Sequence, residues 1–186
     1  LSSSSAASDV YKRQSYTYVS VRAPQTLEEG SYQWFHRKGQ GPYDGVTSEL
    51  ASGVELIGQF VRAALAKYQT QPDKVVLVGF SQGAVMAYEV GLRHPQSVRG
   101  IAALSGKILP VLAAQVKNNP SLQRLGIFIG HGTLDQRLPY SDAVDAQRLL
   151  QGLSLQPQFH AYPGLGHSIS EAEIDDLKGW LQGLNP

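Results

Sequence analysis

Cysteine is absent from the 186 residues, which excludes disulfides, a thiolate nucleophile and thiolate zinc ligation, and leaves either redox compartment open. A charge imbalance is absent as well. Sixteen Lys and Arg stand against 15 Asp and Glu for a net charge of +1, and no basic run forms a footprint for a phosphate backbone, so nucleic acid is not an expected partner. No apolar run approaches the ~18 residues of a membrane span. No segment recurs at a period of ~20–50 residues, which argues against solenoids and propellers. No His, Asp or Glu set has a ligand spacing such as H-E-x-x-H, so metal binding is a poor alternative. What is present is a chain of one-domain length, able to bury about two thirds of its unfolded surface, with 19 glycines and 10 prolines spread as turn markers.

The first 14 residues, LSSSSAASDVYKRQ, differ from all that follows: serine-rich, without periodicity and ending abruptly. They read as a non-native or disordered segment, and DVYKRQ resembles one reading frame of a transposon end used to tag DNA for shotgun sequencing. The expected domain is then 15–186, with its natural N-terminus missing, and the lack of a visible signal peptide carries no information about secretion.

Residues 16–21 (YTYVSV) are dense in β-branched and aromatic residues and predict a strand, followed by a long loop over 24–45 that carries Tyr32, Trp34 and Phe35. A helix is expected from Thr47 or Ser48, with one apolar stripe through Leu50, Val54, Ile57, Val61, Leu65 and Tyr68. The run 75–78 is apolar without alternation, as for a strand covered on both faces in a parallel sheet. Beyond it the pattern alternates: helix 83–92, strand 98–104, helix 109–116, strand 126–130, helix 140–150 and strand 158–162. A terminal helix is opened by the capping box Ser170-x-x-Glu173, with Ile174, Leu177, Trp180 and Leu181 on one face. This predicts an α/β fold, a mostly parallel sheet with helices on both faces.

In such a sheet functional groups gather beyond the C-terminal ends of the strands. Three loops qualify. Ser81 stands in GFSQGA after 75–78, Asp135 in HGTLD after 126–130, and His167 in GLGHSIS after 158–162. A lone G-x-S-x-G is weak in a glycine-rich chain, with chance odds of roughly one in ten. Its weight comes from the order Ser, Asp, His, the one expected where a sharp strand-to-helix turn exposes a nucleophile. Gly79 and Gly83 would let strand and helix pack beneath that turn. A serine hydroxyl needs a base, the role assigned to His167, and Asp135 would fix the imidazole tautomer. Activity is then expected to rise as His167 loses its proton. Among the other histidines, His94 reads as a helix cap, His160 lies in a strand, His36 has no acid partner in a plausible loop, and His131 is expected to support the Asp135 loop. Asp142 is the substitute acid.

The chain resembles the phospholipase/carboxylesterase branch of the α/β-hydrolases, which includes acyl-protein thioesterases, over about residues 16–181. The resemblance rests on Arg22-Ala23-Pro24 before the Trp34-Phe35 loop, on GFSQGA, on the LSG of 104–106, on HGTLDQRLP and on YPGLGHSIS. It implies a cofactor-free serine hydrolase of small or medium acyl esters or thioesters, usually cytoplasmic, with a small-molecule ester or thioester as partner. The backbone N–H of Gln82 would supply half of the oxyanion hole. The other donor belongs, in the family, to a Leu-His-Gly loop after a preceding strand, and neither is seen before Tyr16, so the fold is expected to lack its N-terminal strand and oxyanion loop. Trp34, Phe35, Ile108 and Leu138 are the expected pocket walls. A non-catalytic binding protein on the same fold, or the same triad acting on lactone or peptide bonds, are the alternatives.

Overall fold

The computed structural model describes residues 16–38, 44–45 and 47–184; the segment 1–14, expected to be non-native or disordered, lies outside the described residues. The expected loop over 24–45 contains two short antiparallel ribbons: β1 (Gln25–Glu28) with β2 (Ser31–Gln33), and β3 (Arg37–Lys38) with β4 (Asp44–Gly45). Helix α1 (Thr47–Tyr68) follows. The main sheet consists of β5 (Val76–Phe80), β6 (Gly100–Leu104), β7 (Gly126–Gly132) and β8 (Gln158–Tyr162), all parallel and in the order β5-β6-β7-β8. Between and after them run α2 (Gln82–Arg93), α3 (Pro110–Gln115), α4 (Tyr140–Gly152) and α5 (Glu171–Leu184). Among the described residues no helix is long and apolar enough to cross a membrane.

The period-2 alternation of strand side chains builds the layers. Ile101, Ala103, Ile127 and Ile129 face a core completed by Ala84, Ala87 and Tyr88 of α2 and Ala143, Ala146 and Leu150 of α4. Their neighbours Ala102, Leu104 and Phe128 face the opposite side, against Leu177, Trp180 and Leu181 of α5. Helix α1 lays its stripe of Leu50, Val54, Ile57 and Val61 on Val85, Met86 and Val90 of α2.

Four expectations are corrected. Residues 16–21 form no strand: a cavity of about 850 Å³ separates them from β5, and without a neighbour's ladder even β-prone residues have no strand to join. The cover expected on both faces of β5 is partial: Leu77 packs on the α1 and α2 side and Val76 and Phe80 on the α5 side, but Val78, beside the cavity, stands 52% exposed. The stripe of α1 runs out at Tyr68, which is exposed. In α5, Ile174 faces outward while Glu173 is wholly buried. The Oγ of Ser170 accepts the Glu173 N–H at 3.2 Å, one half of the capping box. The Glu173 carboxyl, however, turns inward against Gly130 instead of back to Ser170, and both its oxygens lack a hydrogen-bond partner.

Candidate active site

Between the end of β5 and the start of α2 there is one residue, Ser81, and it makes the turn alone. Its φ of 55° and ψ of −118° lie in a region that costs a residue with a side chain about 1–3 kcal/mol. The neighbours hold it there. Ser81 N–H donates to the Leu104 carbonyl at 3.0 Å, and the Ser81 carbonyl accepts from Ala84 N–H at 3.0 Å and Val85 N–H at 3.2 Å. A Cβ on Gly79 would overlap the backbone of Gly83, so strand and helix approach this closely only with glycine at 79. The matching expectation for Gly83 is corrected: it borders the cavity beside β5, and a Cβ there would meet open space.

The loops after β7 and β8 are bound to each other. Thr133 N–H donates to the Tyr162 carbonyl at 3.0 Å, Leu134 N–H to the Leu165 carbonyl at 2.9 Å, and Gly164 N–H to Thr133 Oγ1 at 3.1 Å. Gly132 allows this, because a Cβ there would strike the Leu165 and Gly166 carbonyls. These bonds bring Asp135 and His167 together across 32 residues of sequence: His167 Nδ1 lies 2.7 Å from Asp135 Oδ2, and His167 Nε2 lies 2.9 Å from Ser81 Oγ. Phe80 packs its ring against the imidazole, with centroids 4.9 Å apart.

Asp135 is buried, which by itself would raise its pKa. Hydrogen bonds from Leu138 N–H, His167 and Arg137 N–H outweigh that burial and hold the carboxyl below its ordinary value. Its Oδ1 takes the two backbone donors, leaving Oδ2 for His167. An anionic carboxylate at that point selects the tautomer with the proton on Nδ1, so that in the neutral imidazole Nε2 is the nitrogen with a lone pair toward the Ser81 hydroxyl. The arrangement can therefore take a proton from Ser81 and return it.

His131 lies beneath the Asp135 loop, as expected, with its Nε2 2.9 Å from the Leu138 carbonyl and 3.4 Å from Asp135 Oδ2. Facing a carbonyl, Nε2 must be the protonated nitrogen. His94 ends α2, its N–H donating to the Val90 carbonyl. His36 is a correction: it does have an acid partner, Glu49, at 3.0 Å, on the surface at the start of α1. Asp142 is paired with Lys107 at 3.3 Å, and the carboxylate on His167 is that of Asp135. Of the expected pocket walls, Trp34 lines the cavity beside β5. Phe35 and Leu138 are fully buried core residues, and Ile108 packs partly buried against the α2 and α4 core. The reading of the sequence missed the side chain of Gln82, which reaches the backbone of Trp34 and Phe35. The signal was a long polar residue beside the turn of an otherwise apolar elbow.

The family model for phospholipase/carboxylesterase matches residues 2–185. An acyl-protein thioesterase 1 of Debaryomyces hansenii is 31% identical over 133 residues, covering 70% of this chain and 56% of the relative. The carboxylesterase SOBER1 of Arabidopsis thaliana is 32% identical over 114 residues, 61% of this chain and 50% of that protein. The chain thus spans about half the length of these curated relatives. Among solved structures, the esterase PE8 superposes with a TM-score of 0.74 at 26% identity, covering 88% of this chain and 76% of that one. With an α/β-hydrolase fold and a match over nearly its whole length, the chain belongs to the phospholipase/carboxylesterase family.

Proposed function

We propose that the protein is a serine hydrolase of carboxylic esters and thioesters working through an acyl-enzyme. Ser81 Oγ attacks the acyl carbonyl while its proton passes to His167 Nε2, and the carbonyl oxygen gains negative charge beside the Gln82 N–H at the head of α2. The carbon–oxygen or carbon–sulfur bond to the leaving group then breaks, and the leaving alcohol or thiol takes the proton from His167. Water attacks the acyl-serine by the same route, giving up a proton to His167 that returns to Ser81 as the carboxylic acid departs. Asp135, held anionic by its backbone donors, stabilises the imidazolium at both stages.

The observation that carries this reading is the unbroken line from Ser81 Oγ to His167 Nε2 at 2.9 Å and from His167 Nδ1 to Asp135 Oδ2 at 2.7 Å. Turnover of a panel of p-nitrophenyl esters and acyl thioesters by the wild-type chain and by Ser81→Ala tests it. The proposal expects hydrolysis that the alanine variant loses. Equal rates in both proteins would refute it, and a ligand retained by both without turnover would favour a binding protein on the same fold.

A further inference from the structure

One polar side chain beside the Ser81 turn is tied to a distant part of the chain. Gln82 Nε2 donates to the Phe35 carbonyl at 3.0 Å, and Gln82 Oε1 accepts from Trp34 N–H at 2.9 Å. The pairing fixes the amide's orientation, because a reversed amide would set donor on donor and acceptor on acceptor. These two bonds hold the peptide groups on either side of the Trp34–Phe35 peptide against the first residue of α2. The Phe35 side chain is plugged into the core among Leu50, Val54, Met86 and Leu138, but a plug leaves the peptide groups of the loop to find partners elsewhere. The side chain of Trp34, next to the plug, borders the cavity together with Gly79, Phe80 and Gly83, which flank the Ser81–Gln82 turn on both sides.

We propose that Gln82 positions the substrate wall: its amide sets where Trp34 stands relative to Ser81, and thereby which acyl chain lengths are accepted. This rests on the hydrolase reading above. One residue then has two tasks, its backbone N–H facing the developing oxyanion and its side chain holding the aromatic loop. A short acyl group ends before it meets the indole, whereas a long one packs along it and depends on its position.

Two variants of the full chain test this. Gln82→Met keeps the length and removes both bonds. Gln82→Glu can still accept from Trp34 N–H, but it can donate to the Phe35 carbonyl only when its carboxyl is protonated. The readouts are the hydrogen-exchange protection of the Trp34 amide and the ratio of kcat/KM for p-nitrophenyl octanoate over acetate. Both are compared with wild type at the same pH, which cancels titration of the shared base. Gln82→Met is expected to lower Trp34 protection by about tenfold and the octanoate/acetate ratio by about fivefold, mostly through KM. Gln82→Glu is expected to show the same defects at about pH 8 and to recover toward wild type at about pH 4.5. Unchanged protection in Gln82→Met would overturn the clamp. Lost protection with an unchanged ratio, or no recovery of Gln82→Glu at low pH, would overturn the role in chain-length selection. A wild-type chain that hydrolyses neither ester would defeat the hydrolase reading, and the amide exchange would still decide the clamp. If Gln82→Met does not fold, the comparison of Gln82→Glu with wild type at the two pH values decides in its place.

Discussion

The two halves of the main sheet are held in different ways. Every residue of β6 is buried, and β7 is buried from Ile127 onward, each strand flanked by others and covered by helices on both faces. β5 pairs, among the described residues, only with β6, and its other side opens onto the cavity where Val78 is exposed. The proposed acid follows β7 and the proposed base follows β8, the opposite edge strand, on loops that bind each other through backbone hydrogen bonds. The proposed nucleophile stands at the border, on a strained turn hung from the Leu104 carbonyl. The proposed proton handling thus rests on loops locked to each other, while the proposed place of attack rests on one residue held against its conformational preference.

The largest effect is expected where the closed half delivers its charge. Asp135→Asn keeps an oxygen for the Arg137 and Leu138 N–H groups but turns an amide toward His167, and should lower kcat by about 10³- to 10⁴-fold with the fold retained. Steady-state kinetics and circular dichroism check this together; wild-type kcat in a folded variant would deny Asp135 its role.

Stability should divide along the same line. Phe128→Ala removes a fully buried ring packed on Trp180 and should cost about 3–5 kcal/mol in urea unfolding. Glu173 adds a pH dependence to this half. Burial above all raises its pKa from 4.5 to about 7; the nearby Ser170 backbone N–H opposes that rise and the charge of Asp176 adds to it. The folded state therefore keeps a proton that the unfolded chain gives up. The stability contributed by the neutral acid is complete below about pH 4.5 and is lost as pH rises through about 7, on the order of 3 kcal/mol in all. Glu173→Gln should remove that slope and be the more stable protein at alkaline pH; parallel curves for the two proteins would place the proton elsewhere. The smallest effect belongs to the open edge, where Val78→Ala should change stability by no more than about 0.5 kcal/mol. A cost equal to that of Phe128→Ala would erase the distinction between the halves.

The elements themselves were legible across this division. Strands β5 to β8, their helices and the loops bearing Ser81, Asp135 and His167 follow from the strand–helix alternation, glycine placement and chain order, because each of these elements is stabilised by the neighbours that its own pattern anticipates. What was misread lies beside the open edge of β5, for the converse reason. Residues 16–21 have strand composition, yet a strand requires a partner that composition does not supply. An apolar residue in a loop reads the same whether it plugs the core, as Phe35 and Leu138 do, or lines a cavity, as Trp34 does. Contacts such as His36 with Glu49 and Gln82 with the Trp34-Phe35 backbone join segments whose spacing carries no periodic signal. Helix α5 shows a finer miss: Leu177, Trp180 and Leu181 are buried as expected, but the first buried position is Glu173 and not Ile174, with the space beside Gly130 taking the carboxyl.

Activation of Ser81 by His167 is read out by mass spectrometry of the chain after reaction with a fluorophosphonate, which modifies a serine that a neighbouring base has activated. One adduct is expected, on Ser81, formed by the wild-type chain and lost in His167→Ala. An unmodified Ser81, or one modified equally fast without the imidazole, would contradict it.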